Sequence, residues 1–189
     1  MTSWISQRSL SIDSSGIRKV FDLARSLKDP INLSIGQPDF EVPTAVKQAC
    51  IDAINSGHNG YTPTQGLPAL REKLQTAIDT TYQHDDRKAF VSSGTSGGLV
   101  LAMQALVNSG DEVIMFDPFF VMYEPLVQLV GGVPILIDTY PRFRIDLERV
   151  EAAITDRTKL MLLNSPSNPT GYVATPEEVA GLAGICKQH

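Results

Sequence analysis

Apolar positions recur along this chain in two rhythms, and the change between them divides it. From Gly16 onward Ile17, Val20, Phe21 and Ala24 fall at helical spacing, and Ile31–Ile35 reads as a short strand followed by a turn at Gly36–Asp39. Val46, Ala49, Cys50, Ala53 and Ile54 form a helical stripe that Gly57 ends, and Leu67, Leu70, Leu74, Ala77 and Ile78 form another. Beyond residue 88 the grain becomes strand–helix alternation. Ala89–Ser92, Glu112–Phe116, Val133–Asp138 and Lys159–Leu163 are apolar runs of strand length, and helices are predicted at about 96–107, 122–130, 146–154 and 176–187. The last opens on Thr175-Pro-Glu-Glu178, with a Thr cap, Pro at the first helical position and Glu at the third. Continuous apolar strands alternating with helices predict an α/β fold with an open, mostly parallel sheet flanked by helices. Residues 1–15, polar and Ser-rich, read as an extended arm.

Composition narrows the class. The 189 residues carry 16 basic and 21 acidic side chains, a net charge of −5 with no basic run, which argues against nucleic acid as a partner. The start lacks the apolar segment of a signal peptide, and no apolar run is long enough to span a membrane. Cys50 and Cys186 lie far apart in helical segments and read as buried thiols of a reducing compartment, with no metal spacing. The expectation is a cytoplasmic protein.

The candidate chemistry starts at Lys88-Ala-Phe-Val-Ser-Ser-Gly-Thr-Ser-Gly-Gly98, where a strand runs through small residues into an apolar helix. Gly94-Thr-Ser-Gly-Gly98 fits G-x-S-x-G, the nucleophile elbow of serine hydrolases. A triad would need a histidine after Ser96, and among His58, His84 and His189 only the chain's last residue qualifies. There is no lysine after the glycines to make a P-loop. Several hydroxyls at a helix start suit an anion better. Asn164-Ser-Pro-Ser-Asn-Pro-Thr-Gly171 and Asp117-Pro-Phe-Phe-Val-Met-Tyr123 each follow a strand, at the sheet edge where open α/β folds bind ligands. Of the paired Phe119 and Phe120, one ring could pack in the core and the other over a flat ligand. Tyr61 sits in the turn Asn59–Gly66 between two helices.

Taken together, INLSIGQPDFEVP, GYTPTQGLPALR, SSGTSGG, GDEVIMFDPFFVMYE and NSPSNPTG resemble the class I/II pyridoxal-phosphate aminotransferases, the aspartate aminotransferase-like family of fold type I, in order and spacing over residues 14–189. The resemblance implies pyridoxal 5'-phosphate as cofactor. It implies that Gly94, Thr95 and Ser96 cup its phosphate, that Phe120 stacks on its ring and that Asn168 donates to its phenolic oxygen. It makes Gly36 the glycine bordering the substrate carboxylate. Tyr61 would reach the phosphate of a neighbouring subunit, so a homodimer with shared sites is implied, acting on an amino acid and a 2-oxo acid. Residues 1–42 would form an arm and small-domain segment, and 43–189 the N-terminal portion of the cofactor-binding large domain. The family's aspartate facing the pyridine nitrogen, its Schiff-base lysine and its carboxylate-binding arginine would all lie beyond His189. None of Lys19, Lys28, Lys47, Lys73, Lys88, Lys159 and Lys187 stands in a matching context, so no catalytic residue is assigned. The chain reads as the N-terminal part of an aminotransferase, inactive alone, with Ala89–Ser92 unpaired with the other strands present. Cis bonds are expected at Asn168–Pro169 and Asp117–Pro118. β-Lyases and related enzymes of the fold, or a non-catalytic aminotransferase-like module, are the rival readings.

Overall fold

The computed structural model describes residues 4–12, 23, 27–28, 31, 36, 38–82 and 86–189. The chain divides into two compact units, one of Met1–Ser15 with Gly98–His189 and the other of Gly16–Gly97. The expectations for Ile17–Ala24, for most of Ile31–Ile35, and for Lys19 and His84 fall outside the described residues.

In the first unit a parallel sheet is built from β1 (Glu112–Asp117), β2 (Val133–Asp138) and β3 (Thr158–Leu162), in the order β2–β1–β3. β1 lies in the middle, with Ile114 opposite Ile135 on one side and Met161 on the other. Successive side chains of a strand point to opposite faces, so a run of apolar residues needs cover on both. Val113 and Met115 join Met103, Val107, Leu126 and Val127 on one face, while Ile114 joins Ile137, Ile145, Val150, Leu182 and Ile185 on the other. The cover comes from α4 (Gly94–Leu106) and α5 (Tyr123–Leu129) on the first face, and from α6 (Leu147–Ala152) and α7 (Pro176–Gln188) on the second. At the start of β1 the Glu112 carboxylate is almost completely buried, and Thr155 Oγ1 and Arg157 Nε donate to it at 2.6 and 3.0 Å. The Thr155 hydroxyl, then Arg157, hold it below the ordinary glutamate range.

The helix starts follow their sequence signals. Thr175 Oγ1 accepts from Glu178 N at 3.2 Å while the Glu178 carboxylate accepts from Thr175 N at 2.8 Å, the reciprocal pair expected of the capping box. Asp146 caps α6 with its side chain alone, accepting from Glu148 N and Arg149 N. The amino-terminal segment departs from the extended arm expected of it. Gln7–Ser11 forms a short helix, α1, because the Ser6 hydroxyl accepts from Ser9 N, and Arg8 donates to the Leu129 carbonyl at the end of α5.

The second unit contains α2 (Thr44–Asn55) and α3 (Pro68–Tyr82). Ala89–Ser92 belongs to no ladder among the described residues, which corrects the strand assignment while agreeing with its expected lack of pairing to the other strands. Its backbone groups are met from elsewhere. Ala89 N donates to Gln75 Oε1 at 2.9 Å, Arg71 Nε donates to Ala89 O at 3.2 Å, and Val91 N donates to Gln65 O at 3.0 Å. Cys50 and Cys186 are exposed rather than buried. Cys50 shares its stripe with Val46 and Ile54, both 57 % exposed, so an apolar helical stripe here does not mark a covered face.

Candidate functional site

Three strand ends and one loop form a cleft in the first unit. At the end of β1, Thr139 ties the next strand in by donating to the Asp117 carbonyl from both N (3.0 Å) and Oγ1 (2.7 Å). The bonds Asp117–Pro118 and Asn168–Pro169 are cis, as expected, and so are Tyr140–Pro141 and Ser165–Pro166. Beyond β3 the segment from Asn164 folds on itself. Ser167 N donates to Tyr172 O at 2.8 Å, Gly171 N to Ser167 O at 2.7 Å, and Ala174 N to Ser165 Oγ at 3.0 Å. Gly171 takes φ +73°, a backbone that L side chains resist.

The cleft is walled by Phe116, Phe119, Thr139, Phe143, Asn168 and Tyr172, among others. The space within it that the centre of a water-sized sphere can occupy is about 30 Å³, above the roughly 10–15 Å³ that holds one water. Asn168, one of its lining residues, is exposed. Among the described residues nothing hydrogen-bonds the Asn168 amide. Of the two phenylalanines, Phe119 packs against the sheet core and lines the cleft. Phe120 is half-buried and stands edge-on to Tyr123, another wall residue, with ring centroids 5.7 Å apart. Burial pushes the Tyr123 phenol above its ordinary range. Asn168 and Phe120 therefore stand at the carboxyl ends of the same sheet, linked through the wall.

The other predicted residues belong to the second unit or to its end. α4 opens at Gly94, which has φ +66° and open space where a side chain would stand. Thr95 and Ser96 are exposed in the first turn, where backbone N–H groups have no intrahelical acceptor. That turn holds no acidic residue. Gly94 N and Gly97 N donate to Ser92 O and Ser93 O, which leaves the Thr95 and Ser96 N–H groups; with the exposed hydroxyls and the positive end of a 13-residue helix they fit a phosphate dianion. His58 is engaged with the Ser56 hydroxyl at 2.8 Å, and among the described residues no histidine hydrogen-bonds Ser96. Gly36 is exposed, and the Tyr61 ring is fully exposed. Among the described residues no cluster of metal-ligating side chains occurs, and no helix is long and apolar enough to cross a membrane.

Sequence reasoning passed over two features of the cleft. Phe143, on its wall, takes φ +57°, rare for an aromatic residue, and no local motif signals it. Tyr172 donates to the Glu178 carboxylate, with 2.9 and 2.8 Å to its two oxygens. Its place directly after Gly171 is the available signal, but the capping box by itself accounts for Glu178.

The family model for aminotransferase class I and II matches residues 28–189. The chain is 38% identical to the aspartate aminotransferase of Geobacillus stearothermophilus, over 98% of this chain and 49% of that protein. Among solved structures, the aspartate aminotransferase of Thermus thermophilus with maleate matches with a TM-score of 0.90 and 34% identity, covering 100% of this chain and 51% of that one. YbdL of Escherichia coli, whose crystal structure and reactivity identify a methionine aminotransferase function, matches at 0.89 and 30%, covering 99% and 50%. The chain thus spans about half the length of the relatives it matches. Its sheet and helices are those of the fold type I enzymes, and the protein belongs to the class I and II aminotransferase family.

Proposed function

We propose that this chain is the N-terminal part of a pyridoxal-phosphate-dependent enzyme moving an amino group between an amino acid and a 2-oxo acid. The observation that carries the reading most is the match to the family from residue 28 to residue 189, within which every predicted cofactor contact falls. Residues 1–42 are assigned to an arm and small-domain segment, and 43–189 to the first portion of the cofactor-binding domain. When bound, the cofactor supplies an electron sink for charge developing at the substrate Cα. This chain's residues hold it. Gly94 lets the backbone turn into α4, and Thr95 and Ser96 donate to the phosphate with the helix end behind them. Phe120 offers a ring face, and Asn168 an amide donor at the cleft rim. Gly36 leaves room for the substrate carboxylate.

Tyr61, exposed to solvent, is assigned to the site of a second copy, which makes the working unit a homodimer in the cytoplasm. The lysine that binds the cofactor covalently is assigned to sequence outside residues 1–189, so these residues alone are inactive. The test pairs two preparations. The intact protein with pyridoxal phosphate should convert an amino acid and a 2-oxo acid into their exchanged partners, and residues 1–189 should not. Release of pyruvate and ammonia without an amino acceptor would assign a lyase instead. Turnover by residues 1–189 would place the covalent lysine within them and end the proposal that they are half an enzyme.

A further inference from the structure

We infer that Tyr172, through Glu178, is the positioning residue for Asn168. The inference rests on the proposed function, because only there does Asn168 meet a cofactor. The loop carrying Asn168 is closed internally by the Ser167–Tyr172, Gly171–Ser167 and Ser165–Ala174 bonds, and its own carbonyls and N–H groups fix its shape. Internal bonds fix a shape but not a location. The location comes from the end of the loop, where the Tyr172 hydroxyl reaches the Glu178 carboxylate.

Glu178 does more than cap α7. Its Oε1 also accepts from Ile145 N at 3.0 Å, and its Oε2 from Thr175 N at 2.8 Å. One carboxylate thus gathers the Asn168 loop, the segment entering α6 and the first turn of α7. Partial burial pushes this carboxyl up, but the Thr175 N–H, the Tyr172 hydroxyl, the Ile145 N–H and the Arg144 charge outweigh it and hold it below the ordinary range. It is ionised at neutral pH, and hydrogen bonds to a charged acceptor are the stronger kind. Packing alone does not need the hydroxyl, since a phenylalanine ring would fill the same wall. What the hydroxyl adds is a tether between the loop and the helix. Asn168, exposed and without a protein partner among the described residues, depends on that tether for its place.

The test uses the intact protein and the variants Tyr172→Phe, Glu178→Gln and Asn168→Ala. Tyr172→Phe should raise the amide exchange of Ser167 and Gly171 by about tenfold while leaving the α4 amides unchanged. It should weaken pyridoxal phosphate retention by about tenfold, and the loss should not add to that of Asn168→Ala, because both remove one interaction. Glu178→Gln should reproduce the exchange effect, so a poorly folding Tyr172 variant does not remove the test. Unchanged exchange in both variants overturns the tether. A retention loss that simply adds to that of Asn168→Ala overturns the positioning role, as does a lowered melting temperature with normal retention. A wild-type protein that does not hold pyridoxal phosphate counts against the proposed function, and the exchange measurements still decide the tether.

Discussion

Replacing Ile114 by alanine removes three carbons from the centre of the sheet. Ile114 has no exposed surface, sits between Ile135 and Met161 in register, and packs against Ile137, Val150 and Leu182. At about 0.8 kcal/mol for each buried carbon the transfer loss is about 2.4 kcal/mol. Uncollapsed space of roughly 60 Å³ would add about 1.5 kcal/mol at ~24 cal/mol per Å³, for a total of about 4 kcal/mol. The comparison is Leu136→Ala on the neighbouring edge strand, where 46 % of the residue is already exposed. About half the transfer term is lost there and no closed cavity forms, so about 1 kcal/mol is expected. Ile114→Val should fall near 1 kcal/mol as well. Urea unfolding of the intact protein, followed by far-ultraviolet circular dichroism, gives all three costs if the slopes match wild type. An Ile114→Ala cost no greater than that of Leu136→Ala would falsify the assignment of β1 as a strand covered on both faces.

Four further outcomes are expected. Ser96→Ala should weaken pyridoxal phosphate retention by about tenfold or more, the loss of one bond to a charged acceptor, measured by cofactor fluorescence; normal retention with all turnover lost would revive a nucleophilic Ser96. Gly66→Ala should destabilise the second unit more than Gly57→Ala does. Both have positive φ, but only at Gly66 would the new Cβ stand 2.6 Å from the Val91 side chain, and denaturant midpoints should rank them. Thr175→Ala should cost about 1 kcal/mol and Thr175→Ser much less, by thermal melting, because serine keeps the capping oxygen. Glu112 and Glu178 have folded pKa values below their unfolded ones, so their stabilisation is present above the ordinary glutamate range and lost as pH falls toward the folded values. Glu112→Gln should flatten the acid limb of a plot of melting temperature against pH, and an unchanged limb would refute that role for Glu112.

The elements easiest to read in the sequence are those whose signal is local. The capping box at Thr175–Glu178 and the apolar runs of β1 and β2 need no distant information, and the structure reproduces them within a residue or two. Ala89–Ser92 has the composition of a strand, yet ladder membership depends on a neighbour that composition does not specify. The stripe at Val46–Ile54 has the same weakness, since periodicity names a face without naming its cover. At the site, Asn168 was legible because prolines and a glycine crowd around it. Tyr172 was not, because its partner lies across a turn and already had a sufficient local explanation as a cap.

At Ala89 the segment leading into the Gly94–Ser96 turn is held by side chains where a sheet would use backbone. Gln75 and Arg71 act as a splint on Ala89, one accepting and one donating, from successive turns of α3. A ladder is indifferent to side-chain identity, whereas a splint is written in two particular residues and can be lost by changing either. Gln75→Leu would leave the helix intact and strand a buried N–H on the residue five positions before Gly94. Sensitivity to substitution at Gln75 would then look like that of a binding residue, though the residue itself touches no ligand.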